Sequence, residues 1–191
     1  MRTWEDMWTD KTIGSALASA TARFGSKDAM IFENGTLTFE QLKSSSELVA
    51  GGLSRLGVRK GDMVAIWMAG YMEWAPIHYG IGKLGGIMVP VNTRYKPSEV
   101  ESVLNKSKAK ALFLKDERAA GKNYLGVLRE LYPEMQGGSS GRLASKRIPH
   151  LRHVIISTEG NVPGSTSFSE FLNEGRKVPS IEYLNHPDLR K

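Results

Sequence analysis

Apolar and polar positions along this chain switch between two periods, and the switches mark out its elements. After Thr12, which has the hydroxyl an N-cap needs, Ile13, Leu17, Ala20 and Phe24 recur at helical spacing until Gly25. Ala29–Glu33 then reads as a strand, Asn34-Gly35 as a type I′ hairpin turn, and Thr36–Thr38 as the return strand. Thr38 is placed to cap a second helix whose apolar stripe is Leu42, Val49, Leu53 and Leu56, with Gly57 at the C′ position. Met63–Trp67 is a continuous apolar run, so this strand is expected to be covered on both faces. A helix from about Met72 or Glu73 carries Pro76 in its first turn, where amides lack partners anyway, and Ile87–Pro90 is the next strand.

The same alternation continues. Pro97 or Ser98 opens a helix with Val100, Val103 and Leu104 inward, Ala111–Leu114 is a strand, and Ala119–Tyr132 reads as a helix stopped by Pro133. Gln136–Lys146 is small, polar and Gly/Ser-rich, a loop or insertion. His153–Ser157 is a further strand and Phe168–Asn173 a short helix, while Pro179–Lys191 has little periodicity. Strand–helix–strand units of this kind build parallel sheets, so the expected class is α/β, a parallel-strand sheet flanked by helices.

Composition narrows the chemistry. With no cysteine among 191 residues, disulfides, thiolate catalysis and cysteine-based metal sites are excluded together. No apolar run is long enough to span a membrane, and the start, MRTWEDMWTD, is acidic where a secretory signal is basic; a cytoplasmic location is the expectation. The net charge is +6, but the lysines and arginines are mostly scattered and often stand beside acids, as in Lys115-Asp116-Glu117-Arg118. The local exception is Arg142, Lys146, Arg147 and Arg152, with His150 and His153 among them. It lacks interleaved aromatic residues, so no nucleic-acid partner is expected; a solvated loop or an anion-binding patch are the two readings.

Catalytic signatures are sparse. No G-x-S-x-G or H-E-x-x-H occurs, and His78, His150, His153 and His186 have no triad-like or metal-ligand context. Glu33 and Glu40 flank the hairpin as ordinary exposed carboxylates. Ser139-Ser140-Gly141, followed by Lys146, imitates a phosphate loop but misses the Walker spacing. Gly80, Gly82, Gly85 and Gly86 lie late in a helix and at its exit. A dinucleotide fingerprint opens a helix instead, so these glycines are expected to pack and turn.

Several segments, in order, carry a family likeness. Leu37-Thr38-Phe39-Glu40-Gln41-Leu42 resembles the first core motif of the adenylate-forming ligases, with Gln41 in place of the usual acid and Glu40 one position early. Gly57–Met68 resembles the family's G-V-x-K-G-D-x-V-A-I segment, and Gly80–Tyr95 its second core motif, ending in V-P-x-N. Ser98–Leu104 and Ala111–Leu114 continue the pattern, which runs from about Ile13 to Asp116. The chain therefore resembles the N-terminal section of an AMP-forming acyl-CoA synthetase, of the fatty- or aryl-acid type.

That resemblance implies a two-step ligase using ATP, Mg and coenzyme A. A carboxylate attacks the α-phosphate to give an acyl-adenylate and pyrophosphate, and the CoA thiol then displaces AMP. The family's ATP loop, its acidic Mg-linked motif, its ribose-binding aspartate and its C-terminal lysine have no match here, so no catalytic residue carries over. The resemblance places Asn92, Arg94 and Tyr95 beside the CoA nucleotide, with Arg94 as a candidate phosphate partner; the alternative is that Asn92 caps a turn and Arg94 sits in water. It also implies a partial N-terminal domain over 1–191, best matched at 12–135 and connector-rich at 136–191. Such a section is expected to be inactive alone and prone to associate, as a homo-oligomer or with a full-length ligase, through uncovered apolar surface. The alternatives are a non-catalytic interaction module pairing with a full-length ligase, and an independent nucleotide-binding domain, which the missing glycine motif disfavours.

Overall fold

A computed structural model of the chain describes residues 12–33, 35–115, 117, 121–137, 145–158 and 162–179. Within them the elements run α1 (Ile13–Phe24), β1 (Asp28–Phe32), β2 (Gly35–Thr38), α2 (Phe39–Arg55), β3 (Met63–Trp67), α3 (Trp74–Lys83) and β4 (Ile87–Pro90). Then come α4 (Pro97–Ser107), β5 (Ala111–Lys115), α5 (Tyr124–Leu131), a 3-10 turn (Pro133–Gly137), β6 (His153–Ser157), β7 (Thr166–Ser167) and α6 (Phe168–Arg176).

Capping chemistry sets several boundaries. Thr12 and Ser15 form a reciprocal capping box at α1, and Thr38 and Gln41 form one at α2. In the second, the Thr38 amide donates to Gln41 Oε1 at 2.9 Å and the Gln41 amide donates to Thr38 Oγ1 at 3.2 Å. A glutamine carbonyl accepts this bond as a carboxylate would, so the departure from the family motif leaves the cap intact. Gly57, just past α2, has φ 80°, the left-handed conformation expected of it. Pro76 occupies the third position of α3, among the amides that have no partner within the helix.

Strands β3 to β7 form one sheet in the order β4-β3-β5-β6-β7, with every pairing parallel. The hairpin β1–β2 stands apart as an antiparallel pair. Alternate residues of the central strands enter two separate cores. Ala65, Trp67, Leu112, Leu114, Val154 and Ile156 face α4 and α5. Val64, Ile66, Phe113 and Ile155 face α2, α3 and α6. A third, smaller cluster around Leu17, Leu42 and Ala75 seats α1 and the hairpin.

The architecture expected from the sequence is thus present, with local corrections. The helix expected over Ala119–Tyr132 begins only at Tyr124, because Gly121 has φ 75° and Asn123 caps the helix by accepting from the Gly126 amide at 2.9 Å. The connector also ends sooner than its polarity suggests. Ser145 is buried and its hydroxyl accepts from the amides of Arg147 and Ile148, while Ile148 and Leu151 belong to the α4/α5 core. Helix α6 runs three residues past Asn173, and β7 and the 3-10 turn are too short to leave a periodic signal. Asn34, Ser139-Ser140-Gly141 and most of the tail lie outside the described residues.

The glycines expected to pack do so. A Cβ on Gly80 would stand 2.6 Å from the Val49 side chain, and one on Gly82 would stand 2.9 Å from Ile13. The tightest seam joins α2 to α6, where a Cβ on Gly175 would lie 2.0 Å from the Leu48 carbonyl oxygen and one on Gly52 would lie 2.6 Å from the Phe171 ring. In an isolated helix, glycine to alanine is a gain of about 1 kcal/mol. Here it forces two backbones apart. Gly175→Ala should lower stability by about 1–3 kcal/mol in urea titration, whereas Gly70→Ala, with nothing within 4 Å, should shift it by less than about 0.5 kcal/mol.

Candidate functional site

Parallel sheets bind ligands outside the carboxyl ends of their strands, at the point where successive connections leave in opposite directions. In this sheet the point lies between β3 and β5. The chain leaves β3 through α3 to β4 on one side, then returns through α4 to β5 on the other.

Glu73 stands at the start of α3 and accepts hydrogen bonds from Lys115 Nζ at 2.6 Å and Ser157 Oγ at 2.9 Å. One carboxylate thereby joins α3 to the carboxyl ends of β5 and β6. Lys115 also lies 4.3 Å from the centre of the Tyr71 ring, a cation–π contact. Glu117, nearly fully buried, accepts from the Ala69 amide at 3.0 Å and pairs with Lys122 Nζ at 3.5 Å, so it ties the loop after β5 to the loop after β3. Beside Glu73 and Lys115 lies a cleft of about 340 Å³ lined mainly by apolar side chains, among them Val49, Met72, Phe168 and Leu172.

These two carboxylates escaped the sequence reading. Lys115 and Glu117 stand in a run whose charges read as mutually balanced at the surface, but Lys115 turns to Glu73 and Glu117 to Lys122. Asp116 and Arg118 lie outside the described residues. Glu73 is 42 residues from Lys115 and 84 from Ser157 in sequence, so only the parallel stacking of strands brings them together. The available signal was positional: each lies just after a strand or at a helix start.

The sequence-expected trio sits after β4, on the same carboxyl edge. Asn92 Oδ1 accepts from the Arg94 amide at 2.9 Å, and the Tyr95 amide donates to the Asn92 carbonyl at 3.1 Å. The two bonds fold the segment into a turn with Arg94 exposed at its tip. No carboxylate among the described residues pairs with Arg94. Tyr95 behaves differently, its ring packing partly buried against the α4/α5 core. Asn92 therefore shapes the turn, Tyr95 anchors it, and Arg94 is left without a carboxylate partner among the described residues.

Other flagged residues take ordinary roles. Burial holds the His78 imidazole below its usual 6.5, and its ring stacks on Trp74 and meets Met88 Sδ. Glu33 and Glu40 are exposed. Arg147 forms a two-pronged pair with Glu101, at 3.0 and 2.7 Å, so it belongs to an ion pair instead of an open patch. No group of three His, Asp or Glu residues among the described residues is placed to hold a metal ion.

A parallel sheet covered by helices on both faces, with polar groups gathered on its carboxyl edge, places the chain in the α/β fold class. More narrowly, the chain belongs to the AMP-binding enzyme family, whose model matches residues 17–164. Over 179 residues, 93% of its length, it is 31% identical to the mitochondrial medium-chain acyl-CoA ligase ACSF2 of Rattus norvegicus, where the matched part is 29% of that protein. The corresponding ligase of Macaca fascicularis is 33% identical over 178 residues, 28% of its own length.

Among solved structures, the anthranilate CoA ligase AuaEII in complex with anthranoyl-AMP matches with a TM-score of 0.71 and 26% identity, over 89% of this chain and 29% of that one. The N-terminal domain of FACL13 from Mycobacterium tuberculosis shares the fold, with a TM-score of 0.66 at 22% identity over 37% of its length. The chain thus spans less than a third of the length of the two medium-chain acyl-CoA ligases it matches. The family likeness carried by Leu37–Leu42, Gly57–Met68 and Gly80–Tyr95 is borne out.

Glu73 offers a test of the edge network. Burial pushes its carboxyl up, but hydrogen bonds from Lys115 and Ser157 and the lysine charge outweigh that and hold it below the ordinary 4.5. A depressed native pKa gives stabilisation that is complete above 4.5 and is lost as the pH falls through the native value. Glu73→Gln should cost about 1 kcal/mol near neutrality. The gap in Tm between wild type and variant should close as thermal melts are taken from roughly pH 6 to roughly pH 3.

Proposed function

We propose that this chain is the amino-terminal scaffold of an acid–CoA ligase, one that activates a carboxylic acid, a fatty acid in the first instance, and passes it to coenzyme A. The carrying observation is the match to acyl-CoA ligases over nearly all of this chain and under a third of theirs. In the proposed reaction the acid's oxygen bonds to the α-phosphorus of ATP as pyrophosphate leaves; the CoA sulfur then bonds to the acyl carbon as AMP leaves with that oxygen. Mg accompanies ATP in this reading, and since no metal-holding cluster occurs among the described residues, no Mg ligand is assigned to them.

The part we assign to this chain is support and one ligand contact. Its sheet positions the carboxyl-edge loops, and Arg94, exposed at the tip of the Asn92–Tyr95 turn and without a carboxylate partner among the described residues, fits a phosphate of the CoA nucleotide. A guanidinium suits that role because its fork of N–H donors matches phosphate oxygens. Asn92 acts through Arg94 as a positioning residue. Among the described residues no helix is long and apolar enough to cross a membrane; a cytoplasmic enzyme is the reading we favour, and cell fractionation tests it against the mitochondrial setting named for the rat relative.

The isolated chain should show no ATP–pyrophosphate exchange, because the donors that stabilise a transferring phosphoryl group are not assigned to it. Robust exchange would overturn the scaffold reading. In a full-length ligase containing this segment, Arg94→Ala should raise the KM for CoA about tenfold, the loss of one charge-assisted contact, while leaving adenylate formation unchanged. An unaltered KM would remove Arg94 from the CoA site.

A further inference from the structure

The opposite, amino edge of the sheet carries a groove of about 770 Å³ that the ligase reading does not use. Four cationic side chains line it: Arg55 from the end of α2, Lys108 from the end of α4, and Lys110 and Arg152 from the entries to β5 and β6. His150 and His153 complete the polar wall, and Asp62 is the one carboxylate among its described lining residues. The backbone here is fixed. The amides of Arg152 and His153 both donate to the Lys110 carbonyl, at 2.8 and 3.2 Å, and the Lys110 amide donates to the Met63 carbonyl at 2.9 Å.

Part of this charge has a structural explanation. Asp62 pairs with Lys110 at 2.6 Å and Glu174 with Arg55 at 3.0 Å. The carboxyl ends of α2 and α4 each add about half a negative charge, and Lys108, in the left-handed C-cap of α4 with φ 54°, answers one of them. Arg152 lies on no helix, and no described carboxylate pairs with it or with Lys108. Two cations without carboxylate partners among the described residues thus face a groove larger than a single phosphate.

We propose that this groove binds a diphosphate-type anion, with Arg152 and Lys108 as its principal contacts. The inference is independent of the CoA assignment to Arg94, which lies on the other edge of the sheet. The guanidinium of Arg152 supplies a planar pair of donors and Lys108 a point charge, a combination suited to adjacent phosphoryl groups.

Calorimetric titration of the chain with inorganic pyrophosphate tests it. The expected result is saturable binding at low ionic strength that weakens as salt is raised. Loss of a charge-assisted contact corresponds to roughly tenfold in Kd, so Lys108→Asn and Arg152→Gln should each weaken binding by about that factor. Asparagine tolerates the left-handed conformation at 108, so that variant keeps the fold even where Arg152→Gln does not, as a thermal melt will show. Arg152→Lys should keep most of the affinity, and Arg94→Ala all of it. With ADP as titrant, tighter binding assigns the groove to nucleotide-borne diphosphate and weaker binding to the free anion. Absence of saturable binding by the wild-type chain, wild-type affinity in Lys108→Asn, or loss of binding in Arg94→Ala would overturn the proposal.

Discussion

Burial of β3 on both faces is the constraint from which the rest of this structure follows. Val64 to Trp67 are almost wholly excluded from solvent, with neighbours on alternate sides entering different cores. A strand of this kind cannot present one face to water, so helices must cover both. Right-handed crossovers then require the chain to leave β3 on one side of the sheet and return to β5 on the other. The reversal between β3 and β5, with the polar groups gathered at its mouth, is therefore a product of core packing before it is anything to do with ligands.

Legibility in the sequence divides along the same line. Met63–Trp67, Ile87–Pro90 and His153–Ser157 stand where their apolar runs place them, and Thr12 and Thr38 cap as their hydroxyls suggest. These features are local, and local chemistry leaves a trace in neighbouring residues. The helix at Tyr124 was misplaced because the start depends on the backbone at Gly121 and on the Asn123 cap, which apolar spacing does not report. The bridge from Glu73 to Lys115 and Ser157 was invisible for a stronger reason: it depends on strand order, a property of the folded sheet alone. Arg94 was legible as a position, whereas the inward turn of Tyr95 was not.

The two edges of the sheet handle charge in contrasting ways. On the carboxyl edge, where helix amino ends point, carboxylates are drawn in and satisfied: Glu73 by Lys115 and Ser157, Glu117 by Lys122 and a backbone amide. On the amino edge, where helices end, the excess is cationic. The arrangement follows the direction of the peptide dipoles, which any helix-flanked parallel sheet imposes. Among the described residues a surplus is left after that balance, at Arg94 on one edge and at Arg152 on the other.

The glycine seam between α2 and α6 has a consequence for how the molecule is made. Gly51 and Gly52 meet Gly175 and Phe171 across most of the length of the chain, and a side chain at either glycine face would keep the helices apart. Closing so long a loop costs entropy that only the finished contact returns. Helix α2 is synthesised early, yet its inner surface stays incomplete until the last described helix emerges. During synthesis the apolar face that receives α6 is open to water, to chaperones and to other nascent copies until α6 emerges and docks onto it.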